Sequence, residues 1–286
     1  MRRVRRAAPA KLNLYLHVLG RRADGYHLLD SLVAFADVAD VLTAREAPGL
    51  SLEITGPFAG PLRDDPAENL VARAARALAE RAGIEPMAAL SLEKNLPVAS
   101  GIGGGSSDAA AALKALGELW RLDLGERPFQ GLAPSLGADV PVCLFGEPAW
   151  IGGVGEAVAP APALPPCWVV LANPGLSLAT SAVFKARTGA FSAPARFETA
   201  PADAAALARF LEARRNDLMP AALTLAPDIS QVLRALQAET GALIARMSGS
   251  GATCFALFAQ QAAAQAAAQR LGAAHPRWWV AAGKLL

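Results

Sequence analysis

The sequence predicts an α+β fold divided into two domains. Strand-like and helix-like segments occur in both halves of the chain, and no internal repeat is visible. A length of 286 residues is sufficient for two domains. The stretch 160–166 contains four prolines, which are typical of a connection between domains. We therefore expect an N-terminal domain over residues 1–159 and a C-terminal domain over residues 160–286.

In the first domain, alternating apolar residues predict strands, and apolar residues at helical spacing predict helices. The strands are expected over residues 10–19, 26–44, 50–55 and 90–92, with strand and turn material over 146–158. The helices are expected over residues 69–82, 109–120 and 129–136. Gly83 and Gly137 follow the first and last of these helices, and glycine commonly ends a helix.

In the second domain, the same two patterns continue after the prolines. The strands are expected over residues 168–172 and 278–282, with a strand, a glycine turn and a second strand over 246–258. The helices are expected over residues 202–214, 227–240 and 260–271. Both domains are thus predicted to combine helices with a sheet.

Composition excludes several classes of protein. Hydrophobic residues make up 53% of the chain and charged residues 18%, which indicates a packed protein and not a disordered one. With 27 basic and 25 acidic residues, the net charge of +2 indicates no general affinity for nucleic acid or membrane surfaces. The basic stretch 1–6 is followed by no apolar segment of a secretory signal, and no apolar run is long enough to span a membrane.

The three cysteines predict a reducing compartment. Cys143, Cys167 and Cys254 are widely spaced, form no CxxC pair and have no histidine at the spacing of a metal site. Each lies among apolar neighbours, so we expect buried thiols and a cytoplasmic protein.

The stretch Pro97–Asp108 is the most informative in the chain. Four of the five residues from Gly101 to Gly105 are glycine, which allows positive φ and close approach of the backbone to another group. A predicted helix follows, and the free N–H groups at its start favour an anion such as phosphate. The loop is not of the Walker A type, because it lacks the lysine, nor of the Rossmann type, because Ser106 stands at the third glycine position.

The loop, Pro-x-x-x-Gly-x-Gly-Gly-Gly-Ser-Ser-Asp, resembles the phosphate loop of the GHMP kinases (galactokinase, homoserine, mevalonate and phosphomevalonate kinases). Further blocks of this sequence resemble family motifs in the same order: residues 9–16 with 24–27, residues 137–141, and residues 247–252. The resemblance implies a two-domain GHMP kinase fold with a ribosomal-protein-S5-like N-terminal domain and a ferredoxin-like C-terminal domain. It further implies ATP as the phosphoryl donor, with Mg²⁺ expected beside it.

The nucleotide site is expected on the loop and close to it. Backbone N–H groups from Gly101 to Ser107 would hold the phosphates, while the hydroxyls of Ser106 and Ser107 suit phosphate or Mg²⁺, or else only cap the helix. Asp108 is expected to turn outward, because a carboxylate facing the phosphates would repel them. The resemblance adds positions near the adenine. The expected nucleotide-binding residues are Pro97, Val98, Ala99, Ser100, Gly101, Ile102, Gly103, Gly104, Gly105, Ser106, Ser107, Asn69 and Lys94.

Asp139 and Lys11 are the candidate catalytic pair. Each charged side chain lies among apolar neighbours, so each needs a partner of opposite charge. Asp139 could then accept a proton from an acceptor hydroxyl while Lys11 lies close to the transferred phosphoryl group. A buried ion pair without a catalytic role is the alternative from the residues alone, and the resemblance favours the catalytic role.

The acceptor site is assigned by the resemblance. It implies that Tyr26 and Phe184 lie on either face of a cytosine ring and that His27 forms a hydrogen bond with its edge, as suits recognition of a base. The other expected acceptor contacts are Asn13, Thr180, Gly249 and Gly251. For the two glycines, a simple hairpin turn is the alternative.

The resemblance therefore implies ATP-dependent phosphorylation of the tertiary hydroxyl of a cytidylyl diphosphate alcohol in non-mevalonate isoprenoid precursor synthesis. Two alternatives remain from the sequence. One is a GHMP kinase for another small alcohol, such as homoserine. The other is a non-catalytic nucleotide-binding or RNA-binding protein, because fold alone does not fix function. The metal ligands and the oligomeric state are not specified by the sequence.

Overall fold

The computed structural model describes residues 2–125, 127–129 and 131–286, without the side chain of Pro128. The described residues form ten strands and nine α-helices. The strands are β1 (Arg3–Arg21), β2 (His27–Arg45), β3 (Ser51–Thr55), β4 (Ala89–Glu93), β5 (Ala149–Gly152), β6 (Ala157–Pro160), β7 (Trp168–Asn173), β8 (Ala242–Met247), β9 (Cys254–Phe258) and β10 (Trp279–Lys284). The helices are α1 (Leu70–Ala82), α2 (Gly104–Trp120), α3 (Leu132–Leu136), α4 (Val140–Phe145), α5 (Thr180–Ala186), α6 (Ala204–Glu212), α7 (Met219–Leu225), α8 (Ile229–Gln237) and α9 (Gln261–Ala274).

The chain divides into two compact units whose segments alternate along the sequence. Unit 1 comprises the described residues of 1–10, 39–98 and 104–146, and unit 2 comprises residues 11–38, 99–103 and 147–286. The units are therefore not two consecutive segments, and the expected boundary at 159/160 lies within unit 2. Strands β1 and β2 each contribute residues to both units, as does the glycine-rich loop.

Unit 1 combines a small sheet with helices. The end of β2 pairs antiparallel with β4, which pairs in parallel with β3. Helix α1 begins after Asn69, whose side chain accepts a hydrogen bond from the N–H of Val71, and ends at Gly83 in the left-handed conformation. Leucines and alanines of the sheet and of α1–α3 form a single buried core.

Unit 2 contains an antiparallel sheet of four strands in the order β10-β7-β9-β8. Every residue of β9 is buried, and the sheet shares a core with α7, α8 and α9. The first half of β2 pairs antiparallel with β5, and β5 pairs antiparallel with β6. This arrangement leaves the turn between β8 and β9, residues 248–253, at one end of the sheet.

The structure confirms the α+β class and most of the predicted elements, with three kinds of difference. Helix α2 begins at Gly104 and not at Ala109, so it includes two glycines and two serines that local propensity disfavours. The helix predicted over 129–136 is shorter in the structure, where α3 comprises only Leu132–Leu136. Helices α4, α5 and α7 were not predicted, because at six or seven residues they are too short to show a helical period.

The cysteines are buried, as expected. Burial raises the pKa of the Cys167 thiol to about 12, so it stays protonated at neutral pH. Among the described helices, none is both long and apolar enough to cross a bilayer.

Candidate active site

The start of α2 in unit 1 presents backbone donors to an open space. The N–H groups at the start of a helix, here those of residues 104–106, have no acceptor within the helix. Gly105 is exposed, and a Cβ added there would meet no atom within 4 Å. A Cβ at Gly104 would lie 3.5 Å from Lys94 Nζ. The helix start is therefore accessible and carries the positive end of the helix dipole, as an anion site requires.

The two serines of this first turn differ in their surroundings. Ser107 is buried, and its hydroxyl donates a hydrogen bond to the carbonyl oxygen of Pro9 at 2.8 Å. The same Oγ lies 3.4 Å from Cys143 Sγ. Ser106 is half-buried. Of the two, Ser107 thus stabilises the interior of unit 1, and Ser106 has the more exposed hydroxyl.

Asp108 does not turn outward, and that expectation is wrong. Its side chain is buried, and Oδ2 accepts a hydrogen bond from Lys94 Nζ at 2.6 Å. Lys94 Nζ also donates to Asp40 Oδ2 at 2.5 Å. The ammonium of Lys94 provides an interior partner that offsets burial of the carboxylate, and no local pattern in the sequence indicates that partner.

Titration in this cluster follows from burial and charge. Burial raises the pKa of Asp108 to about 7, and Asp40 adds to the rise while Lys94 opposes it. Burial alone would lower the pKa of Lys94, but the carboxylates of Asp108 and Asp40 outweigh it, and the net pKa is raised. Lys94 therefore remains an ammonium ion at neutral pH.

The backbone of Lys94 is also bonded: its N–H donates to Thr55 and its carbonyl accepts from Phe58. The two residues expected near the adenine, Asn69 and Lys94, thus both have structural contacts, one as the cap of α1 and one in the buried cluster.

In unit 2, residues 99–103 pack backbone to backbone against residues 247–252, which we call the third glycine-rich motif because they resemble the third motif of the family. A Cβ added at Gly101 would lie 2.6 Å from the carbonyl oxygens of Gly251 and Ser248. A Cβ added at Gly249 would lie 2.8 Å from the carbonyl oxygen of Gly101. The N–H of Thr253 donates to the carbonyl oxygen of Ser100 at 3.0 Å. Glycine is required at these positions because two segments of this chain approach each other. From the sequence, the glycines were expected to allow the approach of a ligand or to form a simple hairpin turn.

Lys11 and Asn13 lie beside the same segment. The N–H of Lys11 donates to the carbonyl oxygen of Ile102 at 2.9 Å, and its side chain would lie 3.1 Å from a Cβ at Gly103. The N–H of Asn13 donates to Ser248 Oγ, whose hydroxyl in turn donates to the carbonyl oxygen of Gly101. Both side chains are buried. The structure thus brings Lys11, Asn13 and two glycine-rich motifs together within unit 2.

Asp139 lies at the start of α4 in unit 1 and is half-buried. Its side chain forms no capping hydrogen bond, and only its carbonyl oxygen serves the helix, accepting from the N–H of Cys143 at 3.2 Å. The carboxylate is therefore not used to start the helix. Because Lys11 belongs to unit 2, the pairing of these two residues stays a prediction.

Tyr26, His27 and Phe184, which we call the aromatic cluster, are brought together in part. The ring of His27 stacks on that of Phe184 with centroids 5.1 Å apart and an interplanar angle of 24°. Tyr26 is 64% exposed. Burial lowers the pKa of His27, and Arg21 and Arg187 lower it further, so the imidazole is neutral at pH 7. Thr180, a further residue expected to contact the acceptor, forms a hydrogen bond with Ser250 at 2.9 Å between the two hydroxyl oxygens.

One residue in each unit was missed from the sequence. Asp40 follows apolar residues on β2, and a carboxylate in such a strand signals a partner that must be sought elsewhere in the chain. Asn216 Nδ2 donates to the carbonyl oxygens of Met247 and Gly249, both at 2.8 Å, and so holds the third glycine-rich motif. No local pattern distinguishes this asparagine from one in an ordinary turn.

Comparison with known proteins identifies the family of the chain. Residues 69–147 match the family model described as GHMP kinases N terminal domain, and residues 200–277 match GHMP kinases C terminal. Proteins named 4-diphosphocytidyl-2-C-methyl-D-erythritol kinase are similar throughout. That of Paramagnetospirillum magneticum is 56% identical, over 98% of this chain and 97% of its own length. That of Rhodospirillum rubrum is 52% identical, over 98% of this chain and 92% of its own length.

Solved structures agree with this result. A crystal structure of 4-(cytidine 5'-diphospho)-2C-methyl-D-erythritol kinase is 37% identical, covers 99% of both chains and has a TM-score of 0.79. A homoserine kinase from Cytophaga hutchinsonii, 20% identical with a TM-score of 0.74 over 98% of this chain and 94% of its own, shows the same fold. The chain therefore belongs to the GHMP kinase family, among the 4-diphosphocytidyl-2-C-methyl-D-erythritol kinases.

Proposed function

We propose that the chain transfers the γ-phosphoryl group of ATP to the 2-hydroxyl of 4-diphosphocytidyl-2-C-methyl-D-erythritol, giving the 2-phosphate and ADP. The reaction is a step of the non-mevalonate (methylerythritol phosphate) route to isoprenoid precursors. The observation that carries the proposal is the 56% identity, over nearly the whole chain, to a protein named for this substrate. The accessible start of α2 provides independent support for a phosphate-binding role.

The proposed nucleotide site comprises the loop 97–107 together with the surroundings of Asn69. The N–H groups of residues 104–106, which have no acceptor within the helix, would bind phosphate oxygens, and backbone donors suit this task because they are fixed before the ligand arrives. Within these residues, the exposed backbone of Gly105 supports direct contact with a ligand.

Mg²⁺ is expected with ATP, where it neutralises charge on the phosphates. Magnesium prefers oxygen ligands and commonly takes only one or two of them from the protein. The half-buried hydroxyl of Ser106, on the first turn of α2, fits such a role. The described residues contain no group of three or more His, Cys, Asp or Glu side chains around one point, and such a group is not needed when the phosphates supply most of the ligands.

In the proposed reaction, Asp139 accepts the proton of the acceptor hydroxyl while the oxygen forms its bond to the γ-phosphorus and the bond to the β-phosphate oxygen breaks. Lys11 stabilises the negative charge of the phosphoryl group during transfer.

The proposed acceptor site uses the aromatic cluster, with Asn13, Thr180, Gly249 and Gly251. An exposed tyrosine ring can cover one face of a cytosine, and a neutral imidazole can accept a hydrogen bond from its amino group. We further propose a cytoplasmic location, on the cysteine content, and small-molecule partners without nucleic acid or membrane, on the near-neutral charge.

The test is a panel of acceptors incubated with the full chain, ATP and Mg²⁺, with ADP release measured and the product identified by ³¹P NMR. We expect phosphorylation of the cytidylyl diphosphate alcohol and none of homoserine or mevalonate. Homoserine is the sharpest control, because a homoserine kinase shares this fold. Turnover of another acceptor without turnover of the cytidylyl alcohol would overturn the proposal.

A further inference from the structure

Asp40, Lys94 and Asp108, which we call the ion cluster, form a buried group of charges in unit 1. The antiparallel register pairs Val41 with Glu93, so the next position along each strand places Asp40 beside Lys94. Lys94 Nζ lies 2.5 Å from Asp40 Oδ2 and 2.6 Å from Asp108 Oδ2. All three side chains are at most 4% exposed. One ammonium ion thus joins two carboxylates in the interior.

The ion cluster joins the two ends of the glycine-rich loop. Lys94 directly follows β4, and Asp108 directly follows the first turn of α2. The loop 95–107, which here includes that first turn, therefore lies between two residues that contact each other. Asp40 adds to this arrangement: its Oδ1 accepts hydrogen bonds from the N–H groups of Asn95 at 2.6 Å and of Leu96 at 2.8 Å. The first residues of the loop and the start of the helix are therefore held to one strand.

This arrangement is an inefficient way to stabilise a fold. Asp108 Oδ1 is buried and has no hydrogen-bond partner among the described residues. Burial also raises the pKa of Asp108 to about 7, and Asp40 adds to the rise, which reflects the unfavourable free energy of placing this carboxylate in the interior. Well-packed apolar side chains would stabilise such a position as well or better. A buried ion cluster in this place is therefore better explained by the geometry that it imposes.

We propose that Asp40, Lys94 and Asp108 are positioning residues for the nucleotide: they hold the ends of the loop 95–107 together so that the N–H groups at the start of α2 meet the phosphates in a fixed arrangement. The inference rests on the proposed function and deepens it. Lys94 then acts through the loop and not by contact with the adenine. Preorganised donors favour binding because less conformational entropy is lost when the ligand arrives.

The test compares two ligands of the full chain by titration calorimetry: a non-hydrolysable ATP analogue, and inorganic tripolyphosphate, which has no adenine. Lys94→Met and Asp108→Ala each remove the contact that joins the loop ends. If the competent loop is then populated about one tenth of the time, both ligands bind about tenfold more weakly. Asp108→Asn keeps an oxygen acceptor for Lys94 and is expected to rescue most of this loss.

Glu118→Gln is the matched control, because Glu118 lies on the same helix in an exposed ion pair with Arg6 and should leave both affinities unchanged. A loss for the ATP analogue but not for tripolyphosphate in Lys94→Met would mean adenine contact and overturn the proposal. The proposal would also be overturned if Lys94→Met or Asp108→Ala lowered the melting temperature but left the affinities for both ligands unchanged.

Asp108→Ala leaves the Asp40–Lys94 pair in place, so it provides the test if Lys94→Met does not fold. Because no acceptor is present, these results are independent of acceptor identity, and a wild-type chain that binds neither ligand would instead refute the nucleotide part of the proposed function.

Discussion

The ion cluster of unit 1 and the aromatic cluster of unit 2 represent two different ways to prepare a binding site. In the ion cluster, every side chain is buried and the geometry is set by hydrogen bonds of 2.5 to 2.8 Å. In the aromatic cluster, Tyr26 is 64% exposed, and a ring stack joins His27 to Phe184. The first fixes backbone donors before a ligand arrives, and the second offers apolar surface that is buried only when a ligand covers it.

The difference follows from the chemistry of the proposed ligands. Phosphate oxygens are strongly hydrated, so donors gain affinity and specificity when they are already oriented. A base has flat apolar faces, so burial of aromatic surface contributes most of the binding free energy. We therefore expect changes in unit 1 near the loop to affect the nucleotide, and changes in the aromatic cluster to affect the acceptor.

The largest effect on kcat should come from substitution of Asp139, which is proposed to take part in the reaction and not in nucleotide binding. Asp139→Ala is expected to lower kcat by at least about a hundredfold, because a positioned general base contributes on that order. Its effect on the dissociation constant of an ATP analogue should be within about twofold, because the donors of α2 are unchanged. Steady-state kinetics and calorimetry measure the two quantities.

The matched control is Asp123→Ala, which removes an exposed carboxylate of unit 1 outside the proposed site. Unchanged kcat in Asp139→Ala would remove Asp139 from the reaction and leave only the binding part of the comparison.

The next effect concerns the pH dependence of stability in the ion cluster. Asp108 has a folded-state pKa of about 7, above its ordinary value of 3.8, so its contribution is most favourable below about pH 4 and is lost as the pH rises through 7. Asp108→Asn removes this titration. The free energy of unfolding of the wild type, minus that of Asp108→Asn, should therefore fall by on the order of 3 kcal/mol between pH 4.5 and pH 7.5.

Urea unfolding at a series of pH values measures this difference, and other titrating groups cancel because both proteins contain them. A difference that stays constant or rises over this range would contradict the assignment of a raised pKa to Asp108.

A smaller effect is expected from the aromatic cluster. Tyr26→Ala should raise KM for the acceptor by about tenfold, the size of one aromatic stacking contact, and KM for ATP by less than about twofold. Leu225→Ala, an exposed apolar residue of the same unit that is 46% exposed, is the control and should change neither value. If Tyr26→Ala raised KM for the acceptor and KM for ATP equally, the aromatic cluster would not be specific to the acceptor, and the comparison with the ion cluster would fail.

The smallest effect concerns the protonation of His27. Because its pKa is lowered, the neutral ring should persist to below pH 6.5, and KM for the acceptor should rise only a few-fold as the pH falls further. His27→Gln has no titrating ring and should show a flat profile of acceptor KM over the same range. A wild-type profile as flat as that of the variant would exclude His27 as a hydrogen-bond partner of the acceptor.

Some elements were predictable because their signals are local. Helix α1 has a capping asparagine, a helical period and a terminal glycine within one stretch of sequence, and its bounds were predicted closely. The start of α2 was not, because Gly104 and Gly105 oppose helix formation, whereas hydrogen bonds of Ser107 and Asp108 to distant residues stabilise it. The residues of the loop could likewise be identified from the sequence, but not the direction in which Asp108 points.

The α+β class, the glycine-rich loop at a helix start and the family resemblance could all be predicted from the sequence, because each depends on the order of residues along a short stretch. The pairing of Lys94 with Asp40, 54 positions away, and the close approach of Gly101 to Gly251 are visible only in the folded chain. Such contacts depend on how distant segments pack, and a buried charge or a close backbone contact is favourable only when its partner is present. No local pattern of residues contains that information.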